Sequence, residues 1–173
     1  VFYAAFNSFK VAFIGAFVII SFATFIIFTK RVFKINILSF IINFSKIGYA
    51  APGIVIAIGV ISPSIFVDKQ ISQFFSYFGK DIGLILSGSI AILIFAYLVR
   101  FLSVAFNPIE SGLEKVSEKI DYSALNLGAN KQTLLFKIHL PMIISSCLIA
   151  FLLIFIDILK ELPITLILRP FNY

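Results

Sequence analysis

Charged side chains and cysteines are scarce in this sequence. Only 13% of the 173 residues are Asp, Glu, Lys or Arg, whereas 61% are hydrophobic and the mean hydropathy is +1.10. An ordinary soluble domain has about half apolar residues, so this composition excludes that class. The single cysteine, Cys147, lies within an apolar run, and we therefore expect neither a disulfide framework nor a metal cluster.

Residue patterns typical of catalysis are also missing. His139 is the only histidine, and no nucleophile is paired with a base in the sequence around it. No Gly-x4-Gly-Lys-Ser/Thr loop, which would hold the phosphates of a nucleotide, occurs anywhere in the chain. The sequence therefore predicts a protein that is not an enzyme and that binds no cofactor or metal of its own.

Long runs without charge dominate the chain instead. They cover residues 11–29, 47–67, 82–99 and 142–156. An uncharged run of about 20 residues forms a helix of about 30 Å, the thickness of the bilayer core. Residues 31–46 mix charged and apolar side chains, which favours an amphipathic helix at the membrane interface. We predict an all-α membrane protein, a bundle of about four to five transmembrane helices forming a single domain over residues 1–173.

Lysines and arginines are distributed unevenly between the connections. Residues 30–46 carry four of them, residues 107–140 carry four more, and residues 68–81 carry two. Because cytoplasmic loops are enriched in these residues, we expect loops 30–46 and 107–140 to be cytoplasmic and loop 68–81 to face outward. The same argument explains the net charge of +6 without nucleic acid as a partner. Arg100 is interpreted as an interfacial arginine that extends toward the headgroups.

A polar stretch after the third apolar run shows the pattern of two short helices. Asn107-Pro108 is expected to end the third span, and Ser117 to cap the first short helix. That helix should stop at Gly128, since glycine can adopt a positive φ, and Asn130 should cap the second one. Pro141 is then expected to begin the next span. The pattern predicts a helix–turn–helix elbow at the membrane surface, within the polar loop over residues 107–140.

This stretch resembles the cytoplasmic "EAA" loop of permease subunits in ATP-binding-cassette (ABC) importers, whose pattern is E-A-A-x3-G-x9-I-x-L-P. Tyr122 occupies the position of the glutamate, and Asp121 is the nearest carboxylate; whether Asp121 replaces that glutamate is left open. The resemblance implies that the elbow binds a partner ATPase. The residues that it assigns to this contact are Asp121, Tyr122, Ser123, Ala124, Gly128, Ala129, Asn130, Ile138, Leu140 and Pro141.

Other stretches are similar to permeases of the ferric-iron, thiamine and related ABC importers. They are Gly48-Tyr-Ala-Ala-Pro-Gly53, Ala96-Tyr-Leu-Val-Arg100-Phe101, Asp157-Ile-Leu-Lys-Glu-Leu-Pro163-Ile-Thr165 and Leu168-Arg-Pro-Phe-Asn172. The last two most closely resemble ferric-iron permeases. Because the chain begins at Val1 and stops at Tyr173 after an apolar segment, we expect it to be a piece of a longer polypeptide, the C-terminal half of such a permease.

What the resemblance implies is a bacterial inner-membrane permease that works by alternating access. Its partners would be a cytoplasmic ATPase dimer that holds the ATP, a periplasmic substrate-binding protein, a second permease half and the lipid bilayer. The implied substrate is ferric iron, with thiamine, phosphate and polyamines as alternatives. A passive channel or a structural membrane-anchor subunit is the alternative of a different class, and it would be favoured if the elbow bound no ATPase.

Two groups of residues are candidates for the transport pathway. Asp157, Lys160 and Glu161 are spaced to share one helix face near the outer leaflet, where they either line the outer gate or form a structural ion-pair network. Tyr49 and Pro52 belong to a helix that Pro52-Gly53 and Pro63 are expected to kink. That kink is interpreted either as part of a pore lining or as a simple packing feature.

Overall fold

A computed structural model describes residues 2–77, 83 and 85–170 of the chain. Within these residues the secondary structure is helical, and no strand occurs among them. The helices are α1 (Phe2–Phe33), α2 (Asn36–Ala50), α3 (Gly53–Ser76), α4 (Ile90–Glu114), α5 (Glu118–Asn126), α6 (Lys131–Thr133), a π-helical segment (Leu134–His139), α7 (Leu140–Lys160) and α8 (Leu162–Leu168).

Helices long and apolar enough to cross a membrane occur four times in the described part of the chain. They are Ala5–Phe33, Gly53–Ser76, Ile90–Glu114 and Lys131–Lys160. The protein is therefore a multi-pass, all-α membrane bundle, and the predicted fold class is confirmed.

The centre of the bundle is formed by α4 packed between α1 and α7. Small side chains on α4, such as Ala96 and Ala105, are completely buried. At Gly112 the α4 backbone approaches Ser146 of α7 so closely that a Cβ atom would collide with that side chain. Small residues of this kind let membrane helices pack tightly, so these three helices form the closely packed part of the fold.

The amphipathic helix predicted over residues 31–46 is present, but its position differs from the prediction. Residues 31–33 continue α1, the chain turns at Lys34 with a φ of 52°, and α2 begins at Asn36. Near its C-terminal end, Gly48 lies directly against the backbone carbonyl of Val99, in the middle part of α4. Since that contact lies within a candidate span, α2 runs alongside the bundle, and the expectation of an interfacial helix is wrong.

The second span differs in its limits from the predicted 47–67. The backbone is extended at Ala51 and Pro52, so α2 ends and α3 begins anew at Gly53, whereas Pro63 lies within an unbroken α3. A proline cannot continue the hydrogen bonding of α2, and it disfavours helical backbone at the preceding residue. Pro52 therefore breaks the helix completely, where the sequence predicted a kink.

The loop predicted over residues 68–81 is wrong in part, because α3 continues through Asp68. This aspartate is 2% exposed and lies within α3, which continues to Ser76. Its carboxylate accepts the backbone N–H groups of Ile85, Leu86 and Ser87 at 3.2, 2.8 and 2.8 Å. These bonds fix the backbone of residues 85–87 outside a helix, and the third span begins at Ile90 and not at 82; residues 78–82 and 84 of the predicted loop and span lie outside the described residues.

The third span also ends later than predicted. Asn107-Pro108 does not stop α4, which continues to Glu114, and Arg100 consequently lies inside the helix and not near its end. Ile109 and Leu113, in the turns after the proline, are 0% and 4% exposed. Their packing holds the helix together across Pro108, because a membrane helix tolerates a proline when its neighbours compensate for the lost hydrogen bond.

Candidate functional site

The turn between the two elbow helices has the geometry that its sequence predicted. The Ser117 hydroxyl accepts the backbone N–H of Lys119 at 3.3 Å at the start of α5, and Gly128 has a φ of 86° at its end. The N–H groups of Gly128 and Ala129 donate to the carbonyls of Leu125 and Ala124, both at 3.0 Å. This is a Schellman motif, which requires a left-handed residue at the position of Gly128.

The second elbow helix is part of the next span. The Asn130 side chain caps it by accepting the N–H of Thr133 at 2.7 Å, as predicted. The prediction that Pro141 begins the span is wrong, because α6, the π-helical segment and α7 follow one another without a break. Pro141 has no N–H to donate, and just before it the N–H of Leu140 bonds to the Leu135 carbonyl, five residues back. The elbow is therefore continuous with α7.

The end of α1 anchors the elbow through Arg31. Its Nε donates to Asp121 Oδ2 at 2.7 Å, and its two terminal nitrogens donate to the carbonyls of Leu113 and Val116 at 2.5 and 2.7 Å. The other Asp121 oxygen lies 2.6 Å from Nε2 of His139, which is 1% exposed. We call Arg31, Asp121 and His139 the elbow anchor, since they join α1, the end of α4, α5 and the π-helical segment.

Further contacts between α1 and the elbow surround the anchor. Lys30 forms a 2.7 Å ion pair with Glu110, and the Lys131 ammonium lies 3.8 Å from the ring centre of Phe33. The lysine-rich end of α1 therefore lies beside the elbow at one end of the bundle. Neither Arg31 nor His139 was predicted from the sequence to be a site residue. The one available signal was a lone histidine close in sequence to a cluster of charged residues.

The motif residues of the elbow divide into two groups. Asp121 points inward to Arg31 and His139, whereas Tyr122, at the position of the motif glutamate, is 53% exposed. Ser123, Asn130 and Pro141 are also exposed, and Ala124, Ala129, Ile138 and Leu140 are partly buried. Leu127 is 89% exposed at the tip of the turn. The elbow thus presents an outer surface that contains apolar side chains and is fixed from within by Asp121.

The three charged residues at the end of α7 do not form the predicted cluster. Glu161 leaves the helix with φ and ψ of −81° and 91°, is 8% exposed, and lies 3.1 Å from Arg100 Nε. Lys160 is exposed and Asp157 is half-buried, and no ion pair joins either of them to Glu161 in the described structure. The shared helix face was expected because α7 was assumed to continue, but α7 ends before Leu162-Pro163.

Tyr49 and Pro52 lie in two different places, Tyr49 at a groove and Pro52 at the break between α2 and α3. Tyr49 lines a groove of about 350 Å³ whose walls include Lys46, Ser103 and Asn107. Pro52 follows Ala51, whose carbonyl accepts a hydrogen bond from Arg100 at 2.8 Å. Arg100 therefore connects the helix break at Pro52 with Glu161, a contact between candidate residues that the sequence did not predict.

Comparison with known proteins supports the resemblance drawn from the motifs. No family model matches the chain. Over 162 residues, 94% of this chain, it is 27% identical to the Fe(3+)-transport system permease protein FbpB 2 of Haemophilus influenzae. The resemblance to ferric-iron transport permeases is confirmed. The chain spans 29% of the length of that permease.

Proposed function

We propose that this chain is a transmembrane permease segment of an ATP-driven importer, in which the elbow receives the motion of a partner ATPase. The observation that carries the proposal is the elbow anchor. It joins a surface-exposed helix–turn–helix to α1 through Arg31 and Asp121, while α6 continues into α7. A rigid-body push on the elbow would therefore move two spans together.

The mechanism follows from this connection. Closure of an ATPase dimer would press on the exposed outer surface around Leu127 and Tyr122. The Arg31–Asp121 pair would carry the displacement to α1, and the continuous helix would carry it to α7. Because packed helices shift between discrete arrangements, such a displacement can switch the bundle from inward-facing to outward-facing.

The partners proposed are those that the resemblance implies. ATP would bind a separate cytoplasmic subunit, a periplasmic protein would deliver the substrate, and a second permease half would complete the pathway. The location would be the bacterial inner membrane, with the turn between α1 and α2 and the elbow in the cytoplasm. The uneven distribution of Lys and Arg and the contacts of Arg31 with the elbow support this orientation.

Ferric iron is the proposed substrate, transported as cargo. Its support is the similarity to a permease that is named for Fe(3+) transport, together with the residues around Glu161 and Arg169 that resemble ferric-iron permeases. Competition experiments separate the alternatives: excess unlabelled ferric iron should reduce labelled iron uptake by the assembled importer, whereas thiamine, phosphate and spermidine should not. Competition by any of those three would assign the importer to another substrate group.

The proposed docking of an ATPase is tested by photocrosslinking in the assembled complex. A photoreactive phenylalanine analogue at Leu127, which is 89% exposed at the elbow, should crosslink to the ATPase. The matched control is Leu166 of α8, which is 63% exposed and belongs to a different part of the bundle; it should give no such product. Failure of Leu127 to crosslink, with the complex intact, would favour the passive channel or the anchor subunit.

A further inference from the structure

Two interrupted helices meet beside one uninterrupted helix. The first interruption is at Ala51 and Pro52, between α2 and α3, where the backbone is extended with ψ values of 139°. The second is at Glu161, between α7 and α8. Arg100 of the unbroken α4 contacts both of them. We call this meeting point the junction.

The polar contacts of the junction are incomplete. Arg100 Nη1 donates to the Ala51 carbonyl at 2.8 Å, and its Nε forms an ion pair at 3.1 Å with Glu161 Oε2, but both that Nε and Glu161 Oε1 are buried without a hydrogen-bond partner. The Glu161 carboxylate lies against Gly53, the first residue of α3, where a Cβ atom would collide with it. It is thus held by Arg100 and by the positive end of the α3 dipole, with hydrogen-bonding capacity left over.

The faces of α4 differ in how they are packed. Toward α7 the packing is so close that a Cβ atom at Gly112 would collide with Ser146, and toward α1 Tyr97 lies against Gly15. Toward α8 and the junction they include polar pairs, namely Arg100 with Glu161 and the Tyr97 hydroxyl with Thr165 at 2.6 Å. Close apolar packing is lost when helices separate, whereas water can replace polar partners. The face of α4 toward α8 and the junction is therefore the one that can separate from its neighbours.

The two helices beyond the interruptions pack against each other. α3 is in contact with α8, and both reach the rest of the bundle mainly through α4. Asp68 of α3 also holds the backbone of residues 85–87, so a motion of α3 relative to α4 must be taken up between residue 87 and the start of α4 at Ile90. With rotation there and at the two interruptions, the contact between α3 and α8 can stay unchanged.

We propose that α3 and α8 move as one body about the two interruptions, and that the Arg100–Glu161 pair is the lock that holds the arrangement seen here. Arg100 and Glu161 are positioning residues in this device. The motion is a property of this chain and does not depend on the substrate or on an ATPase.

Electron–electron double resonance on the full chain in lipid nanodiscs tests the proposal. Spin labels replace exposed residues on each helix, Phe66 on α3, Leu166 on α8 and Phe95 on α4, in a Cys147→Ser background. The α3–α8 distance should show one population in every variant. The α3–α4 distance should show a second population, which Glu161→Gln increases at least twofold because it removes the charge that Arg100 holds.

Two further variants make the result specific. Arg100→Met combined with Glu161→Leu removes the same pair but keeps side chains of similar size, a change that usually keeps the fold, and should raise the second α3–α4 population as Glu161→Gln does. Lys160→Gln removes an exposed neighbouring charge and should change nothing. The proposal is overturned if the α3–α4 distribution is the same in wild type and in the double variant, or if the α3–α8 distance changes as much as the α3–α4 distance.

Discussion

Arg31 and Asp121 are 90 positions apart in the sequence, and their side chains form a 2.7 Å ion pair where the end of α1 meets the elbow. Both side chains are mostly buried, at 12% and 13% exposure. The same guanidinium also donates to the carbonyls of Leu113, in the last turn of α4, and of Val116, just after it. One side chain thus fixes the position of the elbow relative to two membrane spans.

The first prediction concerns this pair. Asp121→Asn removes the charge that Arg31 and His139 contact, and a hydrogen bond to a charged group contributes about 1.5–3 kcal/mol. We expect the amount of substrate transported per ATP hydrolysed to fall severalfold, while the protein still inserts into the membrane. Glu118→Gln is the matched control, because Glu118 is an exposed acid on the same short helix. Equal losses in both variants would contradict the role of the anchor.

The second prediction concerns the turn of the elbow. Gly128 has a φ of 86°, so Gly128→Val would introduce strain of about 1–3 kcal/mol. Substrate-stimulated ATP hydrolysis by the reconstituted complex should fall, with membrane insertion retained. Gly59→Val is the control, since a Cβ atom at either glycine would meet no atom within 4 Å, but only Gly128 has a positive φ. Normal stimulation in Gly128→Val would show that the turn is not needed.

The third prediction concerns the contact between α2 and α4. A Cβ atom at Gly48 would overlap the Val99 carbonyl, which is backbone and cannot rotate away. Gly48→Ala should therefore destabilise the bundle by about 1–3 kcal/mol and lower its melting temperature in detergent. Gly59→Ala, which adds the same methyl group in open space, should change it little. An unchanged melting temperature in Gly48→Ala would mean that the two helices are farther apart than described.

The fourth prediction separates the charged residues near the end of α7. Glu161 is buried against Arg100, whereas Asp157 is half-buried and forms no ion pair within the described residues. Glu161→Gln should reduce uptake at least fivefold, and Asp157→Asn should leave most of it. A strong defect in Asp157→Asn with normal uptake in Glu161→Gln would restore Asp157 as the pathway residue.

Local chemistry explains which parts of the site could be predicted. The Ser117 cap, the stop at Gly128 and the Asn130 cap each depend on residues no more than a few positions apart. The fold class followed from the uncharged runs, because only helices or closed barrels satisfy the backbone in a bilayer. The caps, the glycine stop and the uncharged runs each lie within a short stretch of sequence, so they could be predicted.

Contacts across the bundle could not be predicted in the same way. Arg31 with Asp121 and Arg100 with Glu161 join residues from different helices, and uncharged runs give no pattern that shows which faces meet. The predicted ends of several helices were wrong for a related reason. Packing against neighbouring helices keeps α4 helical beyond Pro108. The charge of Asp68 suggested a loop, but this residue is buried because it binds the backbone of residues 85–87.

We propose that ATP hydrolysis on a partner drives transport through this bundle. The most direct test measures uptake of labelled ferric iron into proteoliposomes that contain the complete importer, the binding protein outside and ATP inside. We expect accumulation above the external concentration with ATP, and none with a non-hydrolysable analogue or with an ATPase whose phosphate-loop lysine is replaced. Uptake that is equal without ATP and stops when the concentrations are equal would contradict the claim and identify a passive channel.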